Sequence, residues 1–401
     1  MPRKQGNVLI GQSGGPTMVI NQSLVGLVET CQRERRVGRI LGSLRGIQGV
    51  LERNYVDLGS ESRKTLEAVA RTPGSALRSV RKKPTPEECE RVYEELKRLD
   101  VRWFFYIGGN DSAETANLIA RMAQDAHHEL VIFHVPKTID NDLVGTDHCP
   151  GYPSAARFVA QALQGDDQDN RSLPGVKIDV IMGRNAGWLT AASAAARARE
   201  DDGPHLVYCP ERVFDLESFV GDVDRVFTRI GRCVVAVSEG IHDASGKLIG
   251  AGSEKDSHGN VQLSGSGALG DLLADTIKRR LGAKLRVRAD TFGYLQRSFA
   301  GLVSPVDAKE ARRVGERAAE VALGGKRASG TISIRRKPRQ QYAVSYETAE
   351  LAQVAKATRR VEERFLAGSN DVTPAFLEWV RPLLGKLPRM GRLSELPLVE
   401  G

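Results

Sequence analysis

Residues 130–142 read Leu-Val-Ile-Phe-His-Val-Pro-Lys-Thr-Ile-Asp-Asn-Asp. The first six form an apolar run typical of a buried β-strand, and Pro136 ends it. Ligands of open parallel α/β sheets bind outside the carboxyl ends of the strands, so this stretch predicts both an α/β fold and the position of a site. Polar side chains crowd the next six positions: Lys137, Thr138, Asp140, Asn141 and Asp142.

The chemistry of this loop rests on two carboxylates beside an ammonium group. Asp140 and Asp142 stand two positions apart, close in sequence to Lys137. These residue types suit a general base, its supporting carboxylate and a phosphate-neutralising cation. For the loop taken alone, an ordinary polar turn without a ligand is the alternative.

Strand-like and helix-like segments alternate on both sides of this loop, which predicts mostly parallel sheets covered by helices on both faces. The other strand candidates are residues 8–10, 103–107, 176–182, 233–238 and 330–334. The helix candidates are residues 18–35, 111–122, 154–163, 188–198, 269–281 and 307–323. Polar surface loops are expected at 165–174 and 242–264. We expect a domain seam near residues 150–155, with the chain crossing back near Ser298.

Composition and charge narrow the class of protein. A chain of 401 residues, 41% of them hydrophobic, suffices for two domains or one large α/β unit. The net charge of +8 favours anionic ligands, but no aromatic residues interleave with the basic clusters, so we expect no nucleic-acid partner. Five scattered cysteines without C-x-x-C spacing indicate neither disulfides nor a zinc site. Without a signal region or a transmembrane-length run, a cytoplasmic protein with no membrane partner is expected.

Two glycine-rich turns at strand ends could offer backbone N–H groups to a phosphate. Gly-Gln-Ser-Gly-Gly-Pro-Thr occupies 11–17, and Ile-Gly-Gly-Asn-Asp-Ser occupies 107–112. Asp111 could cap the following helix, or hold Mg²⁺ through water. A turn that binds nothing is the alternative for each motif alone.

Two further motifs supply arginines. Met-Gly-Arg at 182–184 follows a strand candidate, and Arg288 and Arg297 flank Tyr294. The two flanking arginines form a plausible phosphate clamp because guanidinium groups bind phosphate oxygens bidentately. A structural ion pair is the alternative for either arginine alone. Four of the five motifs follow an apolar run, and this coincidence favours one shared site.

Together these motifs resemble those of the phosphofructokinases, specifically their pyrophosphate-dependent branch. The resemblance covers roughly residues 7–311. It implies two Rossmann-like three-layer domains with mostly parallel sheets and the active site in the cleft between them. Residues 1–152 with about 298–360 would hold the phosphoryl donor, and 153–297 with about 361–401 the sugar phosphate. The implied reaction is reversible, Mg²⁺-dependent phosphoryl transfer from pyrophosphate to the 1-hydroxyl of fructose 6-phosphate, by a homo-oligomer (dimer or tetramer).

The resemblance also implies a role for each motif residue. Asp140 would take the proton from the 1-hydroxyl, with Asp142 beside it and Thr138 on the reacting phosphoryl group. Arg184 would stabilise transition-state charge, and Lys137 would serve both catalysis and the donor. The implied sugar-phosphate ligands are Met182, Gly183, Glu239, Arg288, Tyr294 and Arg297, with Glu211 a weaker candidate for the role of Glu239. The implied donor ligands are Gly14, Gly15, Arg81, Gly109, Asp111 and Lys137.

The choice of donor depends on two positions. ATP-using relatives carry glycine where this chain has Asp111 and Lys137. A carboxylate at the first position fills the space of a nucleotide α-phosphate and repels it, while the ammonium at the second suits compact, highly charged pyrophosphate. Both positions therefore predict pyrophosphate.

The chain departs from the family pattern at three places. Asn110 replaces the usual metal-associated aspartate, so Mg²⁺ would be held by Asn110 and Asp111 with a larger share left to pyrophosphate itself. Arg78 stands where relatives often have glycine. Gly175 replaces an arginine that many relatives lend to a neighbouring subunit, and Lys177 is a possible substitute.

Three other functions are considered. The same reaction driven by ATP is the nearest alternative. An NAD-kinase-like enzyme shares the Gly-Gly-Asp theme but leaves residues 182–184 and 288–297 unexplained. A phosphate-sensing binding protein would fit the replacement at Asn110, but a sensor has no need of a base such as Asp140.

Overall fold

The computed structural model of the chain describes residues 5–250, 266–325, 327–338, 341–354 and 358–393. Its strands are β1 (Gly6–Gln12), β2 (Val37–Ser43), β3 (Tyr55–Asp57), β4 (Val101–Gly108), β5 (Val131–Pro136), β6 (Val176–Ile181), β7 (Leu206–Tyr208), β8 (Cys233–Ser238), β9 (Val287–Thr291), β10 (Ser329–Arg336), β11 (Val344–Ala349), β12 (Leu366–Ala367) and β13 (Asp371–Val372). Its α-helices are α1 (Ile20–Gln32), α2 (Gly46–Leu51), α3 (Arg63–Ala70), α4 (Pro86–Arg98), α5 (Asn110–Asp125), α6 (Tyr152–Ser172), α7 (Trp188–Ala192), α8 (Leu216–Ile230), α9 (Ala268–Leu281), α10 (Leu295–Ser298), α11 (Pro305–Leu323), α12 (Leu351–Val354) and α13 (Pro374–Leu384). Short 3₁₀ turns occupy Ser193–Ala196 and Glu363–Phe365.

The larger sheet has seven strands in the order β11-β10-β5-β4-β1-β2-β3. Neighbouring strands from β10 to β2 run parallel, and β3 and β11 pair antiparallel at the two edges. The carboxyl ends of β1, β4 and β5 therefore meet at one edge of the sheet. The loops that follow these three strands are the glycine-rich turns and the loop 136–142.

The smaller sheet has four parallel strands in the order β7-β8-β6-β9. Every residue of β6 and β8 is buried, as expected for parallel strands covered on both faces, whereas β9 forms an exposed edge. The Met182–Gly183–Arg184 turn follows β6, and Glu239 follows β8. The smaller sheet thus presents its own functional candidates at its carboxyl edge.

A third packing layer comes from the end of the described chain. Phe365, Phe376 and Trp379 surround Trp188 of α7, with ring centroids 5.1–6.4 Å from the Trp188 ring. The same core includes buried residues of α6 and the inner face of the smaller sheet. Residues 361–384 are therefore part of the interior that supports the smaller sheet.

Helices α1 and α11 approach each other at two glycines. A Cβ placed on Gly26 would lie 2.4 Å from the carbonyl oxygen of Arg312, and one on Gly315 would lie 2.2 Å from that of Ser23. Distances this short exclude a side chain on either glycine. Because α1 begins just after the turn at 11–17, this contact also fixes the glycine-rich turn against α11.

Substituting Gly315 tests this contact. We expect Gly315→Ala to lower the free energy of unfolding by about 1–3 kcal/mol, because overpacking forces the helices apart. Gly165→Ala is the matched control: Gly165 also lies within a helix, but its added Cβ meets nothing within 4 Å. That control should gain about 0.5–1 kcal/mol, because alanine is the better helix former. Urea unfolding followed by circular dichroism measures both; equal midpoints for the two variants would contradict the close contact.

The predicted strands all fall on observed strands, and the α/β class with mostly parallel sheets is confirmed. The predicted loop at 165–174 is wrong, because α6 continues to Ser172. Its polar run folds as a helix since Asp167 is buried and accepts hydrogen bonds from the Gly203 N–H (2.9 Å) and from Arg232 (2.6 Å). The predicted helix at 188–198 is shorter, with α7 passing into a 3₁₀ turn.

Of the predicted loop at 242–264, residues 242–250 form turns and 251–264 lie outside the described residues. The division of the chain into a donor domain and a sugar-phosphate domain stays a prediction. All five cysteines are buried free thiols. Within the described ranges, no helix combines the length and apolar character needed to cross a bilayer.

Candidate functional site

The loop 136–142 is held in one conformation by its backbone. The Lys137 N–H donates to the Gly108 carbonyl at 2.9 Å and the Thr138 N–H to the Pro150 carbonyl at 3.2 Å. Asn141 takes a left-handed conformation with φ of 55°, and its side-chain oxygen accepts from the Cys149 N–H at 3.0 Å. Asparagine tolerates this conformation better than most residues. The loop is therefore rigid enough to aim the side chains on either side of Asn141.

Lys137 joins this loop to the first glycine-rich turn. Its side chain is buried, and Nζ donates to the Gly15 carbonyl at 2.7 Å. The pKa of Lys137 is lowered to about 7, chiefly by burial; Asp140 opposes this shift, and the neighbouring Arg297 and Arg81 contribute to it. A Cβ on Gly14 would lie 3.0 Å from Nζ, so glycine leaves the room that this ammonium needs.

Asp140 and Asp142 are both partly buried, and they lie close enough for the charge of Asp140 to act on Asp142. Burial raises the pKa of Asp140, against the pull of nearby Lys137, Arg81, Arg297 and Arg184. Burial, and then the charge of Asp140, raise the pKa of Asp142 to about 7. These four cations favour the ionised form of Asp140, and the charge of Asp140 in turn favours the protonated form of Asp142.

Two guanidinium groups converge on the Gly14–Gly15 turn. The Gly14 N–H donates to the Val80 carbonyl at 3.0 Å, which pins the turn to the segment that carries Arg81. A Cβ on Gly15 would lie 3.1 Å from a guanidinium nitrogen of Arg297 and 3.7 Å from one of Arg81. With Lys137, these groups make a concentrated positive region at the carboxyl end of β1.

The second glycine-rich turn opens helix α5. Gly109 caps the helix, and the Asn110 side-chain amide donates to Asp142 Oδ2 at 3.1 Å. Asn110 Oδ1 is buried and has no hydrogen-bond partner among the described residues, and Asp111 is exposed in the first turn. An orphaned amide oxygen beside a carboxylate is a donor set that suits Mg²⁺, which prefers oxygen ligands. These residues therefore fit the predicted cation.

The smaller sheet contributes the Met182–Gly183–Arg184 turn. Gly183 has φ of 152°, and a Cβ there would lie 2.7 Å from the Ala186 carbonyl oxygen. Its N–H donates to Glu239 Oε1 at 3.5 Å, which links the ends of β6 and β8. The Met182 N–H donates to Gln296 Oε1 at 3.3 Å, which ties the same turn to α10.

Arg184 and Arg297 approach the loop 136–142 from the smaller-sheet side, and Tyr294 contacts Arg297. Arg184 lies close enough to lower the pKa of Asp140. The Arg297 guanidinium stacks over the Tyr294 ring at 4.4 Å from its centroid. Because Arg297 also reaches the Gly15 turn, it lies between the two halves of the predicted site.

Two predicted residues lie apart from this group. Arg288 is the second residue of β9, is exposed, and donates to the Val287 carbonyl at 3.0 Å, whereas Tyr294 and Arg297 follow the end of that strand. Glu211 accepts hydrogen bonds from the backbone N–H groups of Gly187 and Val361, both at 2.9 Å. The carboxylate of Glu211 thus serves the backbone, and Glu239 remains the stronger candidate.

Sequence reasoning missed two supports of the site. Arg359 donates its backbone N–H to the Asp142 carbonyl at 2.7 Å, and its side chain donates to the carbonyls of Thr146 and Asp147. Gln296 positions Met182. Neither residue carried a signal, because each acts through a contact with a distant part of the chain. Lys177, the suggested substitute for the missing arginine, forms ion pairs with Asp166 and Asp290 instead.

Comparison with known proteins adds to this geometry. The family profile described as "Phosphofructokinase" matches residues 7–322. The chain is 51% identical to the pyrophosphate–fructose 6-phosphate 1-phosphotransferase of Rhodospirillum rubrum, over 98% of this chain and 97% of that one. It is 39% identical to the enzyme of the same name from Xanthomonas campestris pv. campestris, over 96% and 93% of the two chains.

A solved structure has the same fold as this chain. The pyrophosphate-dependent phosphofructokinase of Nitrosospira multiformis superposes with a TM-score of 0.86 at 32% identity, covering 98% of this chain and 95% of that one. The match extends over both sheets and the loops between them. The chain belongs to the phosphofructokinase family.

Proposed function

We propose that this protein transfers a phosphoryl group reversibly from pyrophosphate to the 1-hydroxyl of fructose 6-phosphate, giving fructose 1,6-bisphosphate and phosphate. The choice of pyrophosphate as the donor rests on the buried ammonium of Lys137, which donates a hydrogen bond to the Gly15 carbonyl at 2.7 Å. It stands between the glycine-rich turn and the carboxylate pair, where a compact anion needs neutralisation. The names of the relatives support the same reaction.

We propose Asp140 as the general base of this reaction. Its carboxylate accepts the proton of the 1-hydroxyl as the oxygen attacks the phosphoryl group. A raised pKa makes the ionised carboxylate a stronger base, and the surrounding cations oppose the rise in pKa and so favour the ionised form. Asp142 supports the base, Thr138 contacts the phosphoryl group, and Arg184 stabilises the charge that develops on it.

The donor lies on the larger sheet. Gly14, Gly15 and Gly109 let the backbone approach pyrophosphate, while Lys137 and Arg81 neutralise it. Asp111 fills the space that a nucleotide α-phosphate would take. Phosphoryl transfer depends mainly on positioning and charge stabilisation, and this set of residues supplies both.

The sugar phosphate lies on the smaller sheet. Met182, Gly183 and Glu239 hold the sugar, and Tyr294 and Arg297 hold its 6-phosphate. Arg288, which stands apart within one chain, acts from a neighbouring subunit of a homo-oligomer (dimer or tetramer). We therefore propose two domains. Residues 1–152 with about 298–360 form the donor domain, and residues 153–297 with about 361–401 form the sugar-phosphate domain.

We propose Mg²⁺ as the cofactor of this reaction. Asn110 would hold it through Oδ1, together with Asp111, and pyrophosphate would complete its ligands. When bound, Mg²⁺ supplies charge neutralisation of the transferring phosphoryl group. We assign the enzyme to the cytoplasm, which its five buried free thiols support.

A direct donor comparison tests the function. With fructose 6-phosphate and Mg²⁺, kcat/KM should be at least about 10²-fold higher for pyrophosphate than for ATP, a difference of ~2.7 kcal/mol in transition-state stabilisation. Phosphate and fructose 1,6-bisphosphate should yield pyrophosphate in the reverse assay. Higher kcat/KM with ATP would establish the nearest alternative, and binding of both substrates without turnover would establish the phosphate-sensing one. Sedoheptulose 7-phosphate in place of fructose 6-phosphate tests the acceptor.

A further inference from the structure

Three aspartates meet at the exposed edge of the smaller sheet. Asp166 comes from α6, Asp179 from β6 and Asp290 from the edge strand β9. One carboxylate oxygen of each lies within 4.8 Å of those of the other two. The parallel register places Asp179 directly beside Asp290. Asp179 precedes Met182 by three residues, about 10 Å along the strand, so this cluster lies behind the catalytic edge.

Asp179 is the member of the cluster that most needs a ligand. It is fully buried, and among the described residues no N–H or hydroxyl group donates a hydrogen bond to either carboxylate oxygen; the Asp166 carboxyl is its polar neighbour. Buried polar groups in folded proteins are almost always paired, and an unpaired buried carboxylate is strongly unfavourable. One of its oxygens lies within 4.8 Å of an oxygen of each of the two other carboxylates, where a bound cation would satisfy it.

Lys177 neutralises only part of the cluster. Its ammonium contacts Asp290 directly and lies 3.6 Å from Asp166 Oδ1. A single ammonium beside three carboxylates leaves an excess of two negative charges when all are ionised. The Asp290 side chain is largely exposed, so a cation can reach the cluster from solvent. The Lys177 ammonium can turn toward the same solvent when a cation binds.

We propose that Asp166, Asp179 and Asp290 bind a hard divalent cation of the Ca²⁺, Mg²⁺ or Mn²⁺ class, at a site separate from the catalytic centre. Such ions take carboxylate oxygens together with water, and the cluster offers three of the first on three different elements. The bound ion ties edge strand β9 and helix α6 to β6. Because β6 leads to Met182 and β9 leads to Tyr294, the ion stiffens both approaches to the sugar-phosphate side.

Mn²⁺ binding by the EDTA-treated chain tests this site without pyrophosphate. An Asp111→Asn background removes the charged ligand of the proposed catalytic cation site, which would otherwise compete, and electron paramagnetic resonance counts bound Mn²⁺. One Mn²⁺ should bind per chain, and Asp179→Asn should weaken it by more than about tenfold, since even outer-shell partners cost 10–100-fold when changed. The control is Asp169→Asn, which changes an exposed aspartate of α6, the helix that carries Asp166. This variant should bind Mn²⁺ normally. Lys177→Met should bind Mn²⁺ more tightly, because a competing cation has been removed.

Asp290→Asn tests whether the loss of Mn²⁺ binding in Asp179→Asn comes from misfolding. Its side chain is exposed, so the variant should fold as judged by circular dichroism, yet it should lose the same Mn²⁺. In the Asp111→Asn background, Mn²⁺ should also raise the melting temperature of the chain with an intact cluster and not that of the chain carrying Asp179→Asn. Unchanged Mn²⁺ binding in Asp179→Asn and Asp290→Asn would overturn the proposal. So would a wild-type chain that binds no Mn²⁺ while Asp179→Asn is the more heat-stable protein, because Asp179 would then be a protonated partner of Asp166.

Discussion

Replacing Asp140 with asparagine should lower kcat by about 10²–10⁴-fold, the usual cost of removing a general base. The substitution keeps the size of the side chain but removes its negative charge and with it the capacity to accept a proton. Fructose 6-phosphate binding should change by less than about threefold, or ~0.7 kcal/mol, because its proposed ligands lie on the smaller sheet. Steady-state kinetics and calorimetric titration of the sugar phosphate measure the two quantities separately.

A matched control separates the chemistry from a general loss of charge. Asp125→Asn removes an exposed carboxylate at the end of α5 and should leave kcat unchanged. Asp140→Ala should resemble Asp140→Asn, since neither side chain can take the proton. Turnover close to that of the wild-type chain in either Asp140 variant would disprove the assigned base.

Replacing Lys137 with methionine should lower kcat/KM for pyrophosphate by roughly 10²–10³-fold, the scale seen when one preorganised donor to a developing charge is removed. Methionine fills the buried space but cannot neutralise the anion or donate to the Gly15 carbonyl. The affinity for fructose 6-phosphate should fall far less. Lys137→Gly should show the same imbalance, with an added loss of stability from the cavity.

The pH dependence of this prediction has a definite sign. Burial lowers the pKa of Lys137 to about 7 in the free chain, so its ammonium is lost as the pH rises through that value. Pyrophosphate binding should therefore weaken above about pH 7 and take up a proton there, which calorimetry in two buffers detects. Lys97→Met, an exposed lysine of α4, is the control. Equal losses for pyrophosphate and the sugar phosphate in Lys137→Met would count against a donor role.

The sequence predicted those parts of the site that depend on local pattern. Each apolar run became a buried strand, and the polar residues after β1, β4, β5 and β6 gathered at carboxyl edges because parallel strands share a direction. The Asn110 substitution was visible in the sequence. Its consequence was not, because the hydrogen bond to Asp142 and the orphaned oxygen Oδ1 depend on the pairing of two distant loops.

What the sequence could not predict depends on partners far along the chain. The stretch 165–174 has the composition of a loop, yet Arg232 and Gly203 satisfy Asp167 and keep α6 helical. Arg359, which follows the last strand of the larger sheet, donates its backbone N–H to the Asp142 carbonyl and so holds the loop 136–142 in place. Asp179 lies in the middle of a strand whose other residues are mostly apolar, so local pattern alone gave no reason to single it out.

The order of strands in the larger sheet has a consequence for synthesis on the ribosome. β5 is made early, but its neighbour β10 follows only after every strand of the smaller sheet. Until β10 and α11 emerge, the nascent chain presents β5 as an open edge, and α1 lacks the helix that its glycines fit. Open edges invite pairing with other chains, so the emerging polypeptide is most in need of a chaperone during that interval.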